Sequence, residues 1–287
     1  MNDYLLAAIL GVVEGLTEFL PVSSTAHIRL AQALIKGEES LTDNYWKLFA
    51  IVIQLPAILA VVVYFRVRIV EFIKSFIARP TWKHPIVMVM LAFVVTAVPA
   101  ILGKKLIKHN LESLYVMGAA LVIGGVVMWV VDSIYGRREK QGLATTPTIE
   151  AIKPWQAAWI GLIQVLAALF PGASRSMCTI AAGQVAGLTR TSALEFSFFL
   201  SIPIMFAAFV KDMNDSLTPT DEAYIGSALT GSQLLQIGIG SVTSFVVALL
   251  VIAWFMGWVK KRGFVPFAIY RIIIGCVVLV WAYKSTH

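Results

Sequence analysis

The stretch Glu14-Gly15-Leu16-Thr17-Glu18-Phe19-Leu20-Pro21-Val22-Ser23-Ser24-Thr25-Ala26-His27 interrupts an apolar run that opens at Ala7. Its two carboxylates are four residues apart, so on a helix they share one face. Pro21 then ends that helix, and three hydroxyls and an imidazole follow where backbone groups have lost their helical partners. Within a bilayer, such backbone is tolerated only inside protein or beside a wet cavity. A second copy occupies 157–177 and contains Pro171-Gly172-Ala173-Ser174-Arg175-Ser176. Offset by 150, the two copies match at Ala7/Ala157, Ala8/Ala158, Gly11/Gly161, Pro21/Pro171 and Ser24/Ser174, with Glu14 on Gln164 and His27 on Met177. The chain therefore carries an internal repeat built on a broken helix.

The rest of the chain says where these breaks lie. Of 287 residues, 59% are hydrophobic and 14% charged, and the mean hydropathy is +0.82. Soluble domains average about 45–50% apolar and about 25% charged residues. A water-soluble fold cannot hide this much apolar surface, so the chain reads as a multi-spanning membrane protein with the lipid bilayer as partner. The net charge of +7 sits between hydrophobic runs, which suits loops beside anionic headgroups. No nucleic-acid-binding motif is present, and nucleic acid is not an expected partner. Cys178 and Cys276 both lie in apolar segments, too few for a disulfide framework or thiolate metal site. The N-terminus has no basic n-region and holds Glu14 and Glu18 in its apolar stretch, unlike a cleaved signal peptide.

Six runs are long and apolar enough to span: 46–65, 85–103, 114–133, 192–210, 233–257 and 264–283. Each approaches the ~20 residues that a ~30 Å hydrocarbon core requires. Breakers and charges fall between them, at 66–84, 137–154 and 211–230; the last is acidic, with Asp212, Asp215, Asp221, Glu222 and Pro219. The repeat continues loosely, Phe49…Pro56 with Phe196…Pro203 and Gly124…Trp129 with Gly275…Trp281. The expected fold is an all-α polytopic membrane protein of six spanning helices plus two re-entrant helix-loop-helix segments. It forms a single membrane domain over 1–287, with a first repeat at 1–135 and a second, inverted repeat at 150–287. Three crossings per half invert the second half, a plan in which discontinuous helices meet near the midplane.

Charge fixes the expected orientation. On the re-entrant plan, loops 66–84, 134–153, 187–191 and 258–263 share one side and carry thirteen cations, against seven on the other. The seven are Lys36, Lys47, Lys104, Lys105, Lys108, Lys211 and Lys284. Excess Lys and Arg mark the cytoplasmic side, so the termini and the loop after the first break are expected to face outward.

Each polar feature has a bland alternative. Glu14 and Glu18 at a water boundary would merely be solvated; inside the bilayer each charge costs at least ~2.5–3.5 kcal/mol and the pair needs a cation, a metal or a shared proton. Ser174-Arg175-Ser176 alone is commonly a helix cap. At the mouth of a following helix, with a guanidinium and positive helix dipole, it suits an anion. Arg271, seven residues into the last run, reads first as a snorkelling cation, and Arg29 either snorkels or pairs with a glutamate. Gln54 and Glu195 read as interhelical hydrogen bonders, and the Trp and Tyr residues near span ends as interface anchors.

These motifs resemble a known family. The 14–27 stretch is similar to the acidic-helix and serine-turn signature of the undecaprenyl-diphosphate phosphatases, the bacitracin-resistance family. Pro171-Gly172-Ala173-Ser174-Arg175-Ser176 with Thr179 resembles its second signature, and Phe264-Val265-Pro266-Phe267-Ala268-Ile269-Tyr270-Arg271 its C-terminal stretch. The family usually has glycine where this chain has Ala26 and Met177; Ala26 fits if its φ is negative. The resemblance implies a phosphoric anhydride hydrolase that removes the terminal phosphate of undecaprenyl diphosphate. Arg175 would stabilise the transferring phosphoryl group. Glu14 and Glu18 would hold a divalent cation (Mg or Ca) or position a nucleophile, and His27 would be general base or acid. Ser24 is either the nucleophile or orients water. Ser23, Thr25, Ser174, Ser176, Thr179 and Gln54 are the candidate substrate-binding residues, and a homodimer is one candidate assembly. The rival reading is a polyprenyl-phosphate flippase or ion-coupled transporter, since inverted repeats and broken helices are transporter architecture.

Overall fold

The computed structural model describes residues 2–103, 113–218 and 229–286. Among these residues the regular structure is helical, apart from an isolated bridge between Thr146 and Leu188. In chain order the α-helices are α1 (Asp3–Thr17), α2 (Ser24–Lys36), α3 (Asn44–Tyr64), α4 (Arg66–Ala78), α5 (Pro85–Leu102), α6 (Leu114–Lys140), α7 (Pro154–Leu169), α8 (Arg175–Val185), α9 (Arg190–Leu217), α10 (Gly231–Arg262) and α11 (Val265–Thr286). Helices α3, α5, α6, α9, α10 and α11 are long and apolar enough to cross a membrane, matching the six expected runs.

Local chemistry sets the helix ends. Asn2, Asp43, His84 and Ser113 each place a side-chain acceptor on an early amide of α1, α3, α5 and α6, satisfying donors that a helix start leaves orphaned. Pro85 and Pro154 open α5 and α7, where a missing N–H costs nothing. Arg137, Arg138 and Lys140 end α6, and Lys260, Lys261 and Arg262 end α10, facing the negative end of the dipole.

Three boundaries differ from expectation. The charged stretch after α3 is itself helical: α4 buries none of its residues and exposes Val67, Val70, Ile73 and Ile77, as an amphipathic interfacial helix does. α6 continues past the apolar run to Lys140, where the cations of its last turn favour the negative end of the helix dipole. α9 likewise continues through Lys211 to Leu217, where Lys211 pairs with Asp215 at 2.8 Å one turn on. Lys104, Lys105, Lys108, Pro219, Asp221 and Glu222 lie outside the described residues.

The chain divides into two compact units. The first comprises Met1–Phe19, Ser24–Phe65 and Ser201–Ala253, and the second Leu20–Ser23, Arg66–Leu200 and Trp254–His287. Each unit takes pieces from both sequence halves. In the first, Leu6, Ala7, Leu10, Ile28, Trp46, Phe49 and Ile53 form the core of α1, α2 and α3. A Cβ on Gly15 would meet the Ser244 carbonyl at 2.7 Å, so α1 and α10 pack nearly backbone to backbone, the small-residue mode of membrane helices. Pro56 lies inside α3 without ending it, and the Ile53 carbonyl accepts from the buried Ser244 hydroxyl at 2.9 Å, giving that hydroxyl a partner away from water.

In the second unit, a Cβ on Gly275 would lie 2.9 Å from the Gly118 carbonyl, setting the close α6–α11 contact. Here the expected cation-rich loops come together. Arg68 bonds Glu150 at 2.8 Å and Glu195 at 2.6 Å, which also assigns Glu195 an ionic partner. Asp132, fully buried near the end of α6, receives Arg190 Nε at 2.7 Å, Arg190 Nη2 at 2.9 Å, Gln184 Nε2 at 3.0 Å and the Phe264 amide at 2.9 Å. This fastens α6, α8, α9 and α11 at one end.

Candidate active site

Both expected breaks are present. The first separates α1 from α2 and the second α7 from α8. The residue directly before each second helix is a serine in the left-handed region: Ser23 at φ 74° and Ser174 at φ 69°. That conformation costs a non-glycine residue on the order of 1 kcal/mol or more, and it persists where surrounding structure over-determines it. The equivalence corrects the repeat register. Pro21 and Pro171 align at 150, but the second turn then inserts one residue, so Ser174 corresponds to Ser23 and Arg175 to Ser24.

In the first unit, Glu14 lies on the buried face of α1 and is 0% exposed. Glu18 follows one turn later as the C-cap of α1 and is half-buried. Ser24 opens α2, and its hydroxyl donates to Glu18 Oε2. His27 is half-buried on α2, Thr25 is exposed, and Gln54 is half-buried on α3. Ala26 is helical and fully buried, and it is not among the positive-φ residues, so its Cβ is accommodated.

In the second unit the two turns meet. Ser176 Oγ donates to the Leu20 carbonyl at 2.9 Å and lies 3.1 Å from Ser174 Oγ. Ser174 caps α8 by accepting from the Met177 amide at 3.4 Å. Arg175 is half-buried and donates from Nη1 to the Ser197 carbonyl at 3.2 Å. Thr179 Oγ1 is 2.7 Å from Ser197 Oγ and also reaches the Arg175 carbonyl at 3.0 Å, which fixes the first turn of α8 against α9.

Arg271 is the residue sequence reasoning misjudged. It does not snorkel: it is 0% exposed. Nη1 donates to Pro21 O at 3.0 Å, and Nη2 to Gly172 O at 2.8 Å, Ala173 O at 3.1 Å and Ala120 O at 3.3 Å. A guanidinium thus collects three carbonyls from the two breaks and one from within α6, a task suited to its planar fork of donors. Met177 and Gly124 border it; a Cβ on Gly124 would stand 2.8 Å from Met177 Cε, so the side chain at 177 fills space made by the glycine at 124. Asp132 was also missed. The available signal was a lone carboxylate near the end of an apolar run, which insertion energetics would have flagged.

Among the described residues, no three His, Cys, Asp or Glu side chains gather as metal ligands. Glu14 and Glu18, one turn apart, therefore do not fit an all-protein cage. They fit a hard cation of the Mg type, which takes one or two carboxylates and completes its shell with water and substrate phosphate.

The family model for Bacitracin resistance protein BacA matches residues 7–277. The chain belongs to that family. An undecaprenyl-diphosphatase from Koribacter versatilis (strain Ellin345) is 52% identical over 294 residues, covering 99% of this chain and 100% of the relative. Others with that name are 42% identical in Sorangium cellulosum (strain So ce56), covering 95% of this chain and 84% of the relative, and 38% identical in Bradyrhizobium sp. (strain ORS 278), covering 98% and 97%. The BacA match includes both breaks, the acidic pair, Arg175 and Arg271.

Proposed function

We propose that this BacA-family protein hydrolyses undecaprenyl diphosphate to undecaprenyl phosphate and inorganic phosphate. The site faces outward in the bacterial plasma membrane and returns the lipid carrier to cell-wall synthesis. The observation that carries the reading is the joined pair of turns: Arg175 opens α8 beside Ser174 and Ser176, while Ser176 and Arg271 grip the carbonyls of Leu20 and Pro21. The relatives' printed name supplies the substrate. In sequence, Glu18 and Ser24 flank the Leu20–Ser23 turn.

The residues divide the work. The Arg175 guanidinium and the positive end of α8 bind the terminal phosphate and stabilise charge on its equatorial oxygens as it transfers. Ser24 Oγ attacks the terminal phosphorus and its proton passes to Glu18, with which it is hydrogen-bonded. The phosphorus–oxygen bond to the lipid monophosphate breaks, and water then cleaves the phosphoserine with His27 as base. If Ser24 only orients substrate, water takes its place in the first step with the same proton acceptor. Glu14 and Glu18 would hold a divalent cation, which when bound supplies positive charge to the phosphate oxygens. Re-entry of both breaks, and inversion of the second half of the repeat, belong to the same proposal.

Purified protein in detergent separates no compartments, so phosphate release there is hydrolysis and not transport. Release from a long-chain prenyl diphosphate, suppressed by chelator, is the expected result. No release by folded protein would return the chain to the flippase or transporter class.

A further inference from the structure

The second unit contains an open pocket of about 170 Å³ lined by Asp132, Gly136, Arg137, Lys140, Arg190 and Arg262, with Val265 at the start of α11 beside them. It takes no part in the hydrolysis above. Four cations surround one carboxylate, and Asp132 is committed to Arg190 through both oxygens, at 2.7 and 2.9 Å. Glu139 is the further acid in reach, and its Oε2 accepts the Arg190 amide at 3.1 Å. Counting it, the cavity walls still carry a surplus of two positive charges.

The walls are built. A Cβ on Gly136 would run into the Arg190 guanidinium, and one on Gly263, at φ 70°, would lie 2.7 Å from both Arg190 Cζ and Asp132 Oδ2. Two glycines therefore leave room for the arginine between α6 and α11. On the rim, Arg262 is held over the Trp258 ring at 4.7 Å, while the Trp258 indole donates to the Gly263 carbonyl at 3.2 Å. Arg137, Lys140 and Arg262 are exposed. A merely solvated loop needs neither a glycine-lined floor nor a braced rim.

We propose that this cavity binds a phosphate group, carried either by an anionic lipid headgroup or by free phosphate. The volume exceeds several times the roughly 30 Å³ share of one water, enough for one tetrahedral anion. Basic pockets between the ends of membrane helices are where phospholipid headgroups bind, and guanidinium forks match their oxygens. The cavity is coupled to the turns by covalent structure: Val265 lies six residues before Arg271, about 9 Å along α11.

The test uses the full-length protein, with Arg137→Ala/Lys140→Ala/Arg262→Ala as pocket variant and Arg66→Ala/Lys74→Ala/Lys83→Ala as control, removing equal charge from the cation-rich segment over 66–84. Wild type in nanodiscs of phosphatidylethanolamine with a minor fraction of cardiolipin is expected to retain cardiolipin in native mass spectrometry. Radiolabelled inorganic phosphate binding to detergent-purified protein forms the second arm. The pocket variant should weaken binding of whichever probe binds at least ~10-fold, and the control less than about 2-fold. Retention of cardiolipin alone identifies a headgroup site, and phosphate binding that competes with it identifies free phosphate. No binding of either probe, or equal losses in pocket variant and control, overturns the proposal.

Discussion

Arg271 Nη1 donates to the carbonyl of Pro21 at 3.0 Å across 250 residues of chain, so the last spanning helix holds the first break in place. The same guanidinium reaches Gly172 and Ala173 in the second break. Removing it strands several carbonyls in a dry interior, each at about 1–3 kcal/mol. Arg271→Met should therefore lower the thermal midpoint in detergent and abolish phosphate release, and Arg271→Lys should recover little of either, because an ammonium cannot span both breaks. A lysine variant with wild-type midpoint and rate would show that charge alone suffices.

Glu18 accepts a hydrogen bond from the Ser24 hydroxyl and caps α1, which suits it to the proposed role of base. Glu18→Gln keeps the shape and loses the base, so phosphate release should fall at least ~10²-fold at unchanged membrane level. Glu14→Gln should be milder, because the equivalent position already carries Gln164. Near-normal rates in both would mean that neither carboxylate takes part in the reaction.

The nucleophile is read by rapid quench with labelled substrate. Wild type should show acid-stable phosphate on the protein, and Ser24→Ala should lose both the label and the activity. A Ser24→Ala rate above about a tenth of wild type, far above what nucleophile removal leaves, assigns the attack to water and restricts Ser24 to orienting substrate.

Arg175 opens α8 at the joined turns. Arg175→Lys retains charge but not the fork, so it should fail almost as badly as Arg175→Ala, by ~10²-fold or more, if phosphate is held bidentately. Full activity in the lysine variant would reduce Arg175 to a source of positive field.

The cation bias sets the expected orientation. Reporter fusions after Arg138 should read cytoplasmic and fusions within 212–230 external, given thirteen cations against seven. The opposite pattern would place the turns on the inner side.

The spans and both breaks were legible because hydropathy, proline and hydroxyl clusters act locally: a 20-residue apolar run spans whatever packs beside it, and a proline followed by hydroxyl residues disfavours helix. Helix α4 was not legible, since its charges signalled a loop while its apolar face needed only an interface. The register of the turns was misread by one residue because identity pairs Ser24 with Ser174, whereas backbone conformation pairs Ser23 with it. Only tertiary structure decided the roles of Arg271 and Asp132. A buried charge is defined by its partners, and these carbonyls, amides and guanidinium come from segments up to 250 residues away. The sequence by itself determined where the helices break; what holds the two breaks together depended on which distant donors the fold brought to carbonyls that had no water to turn to.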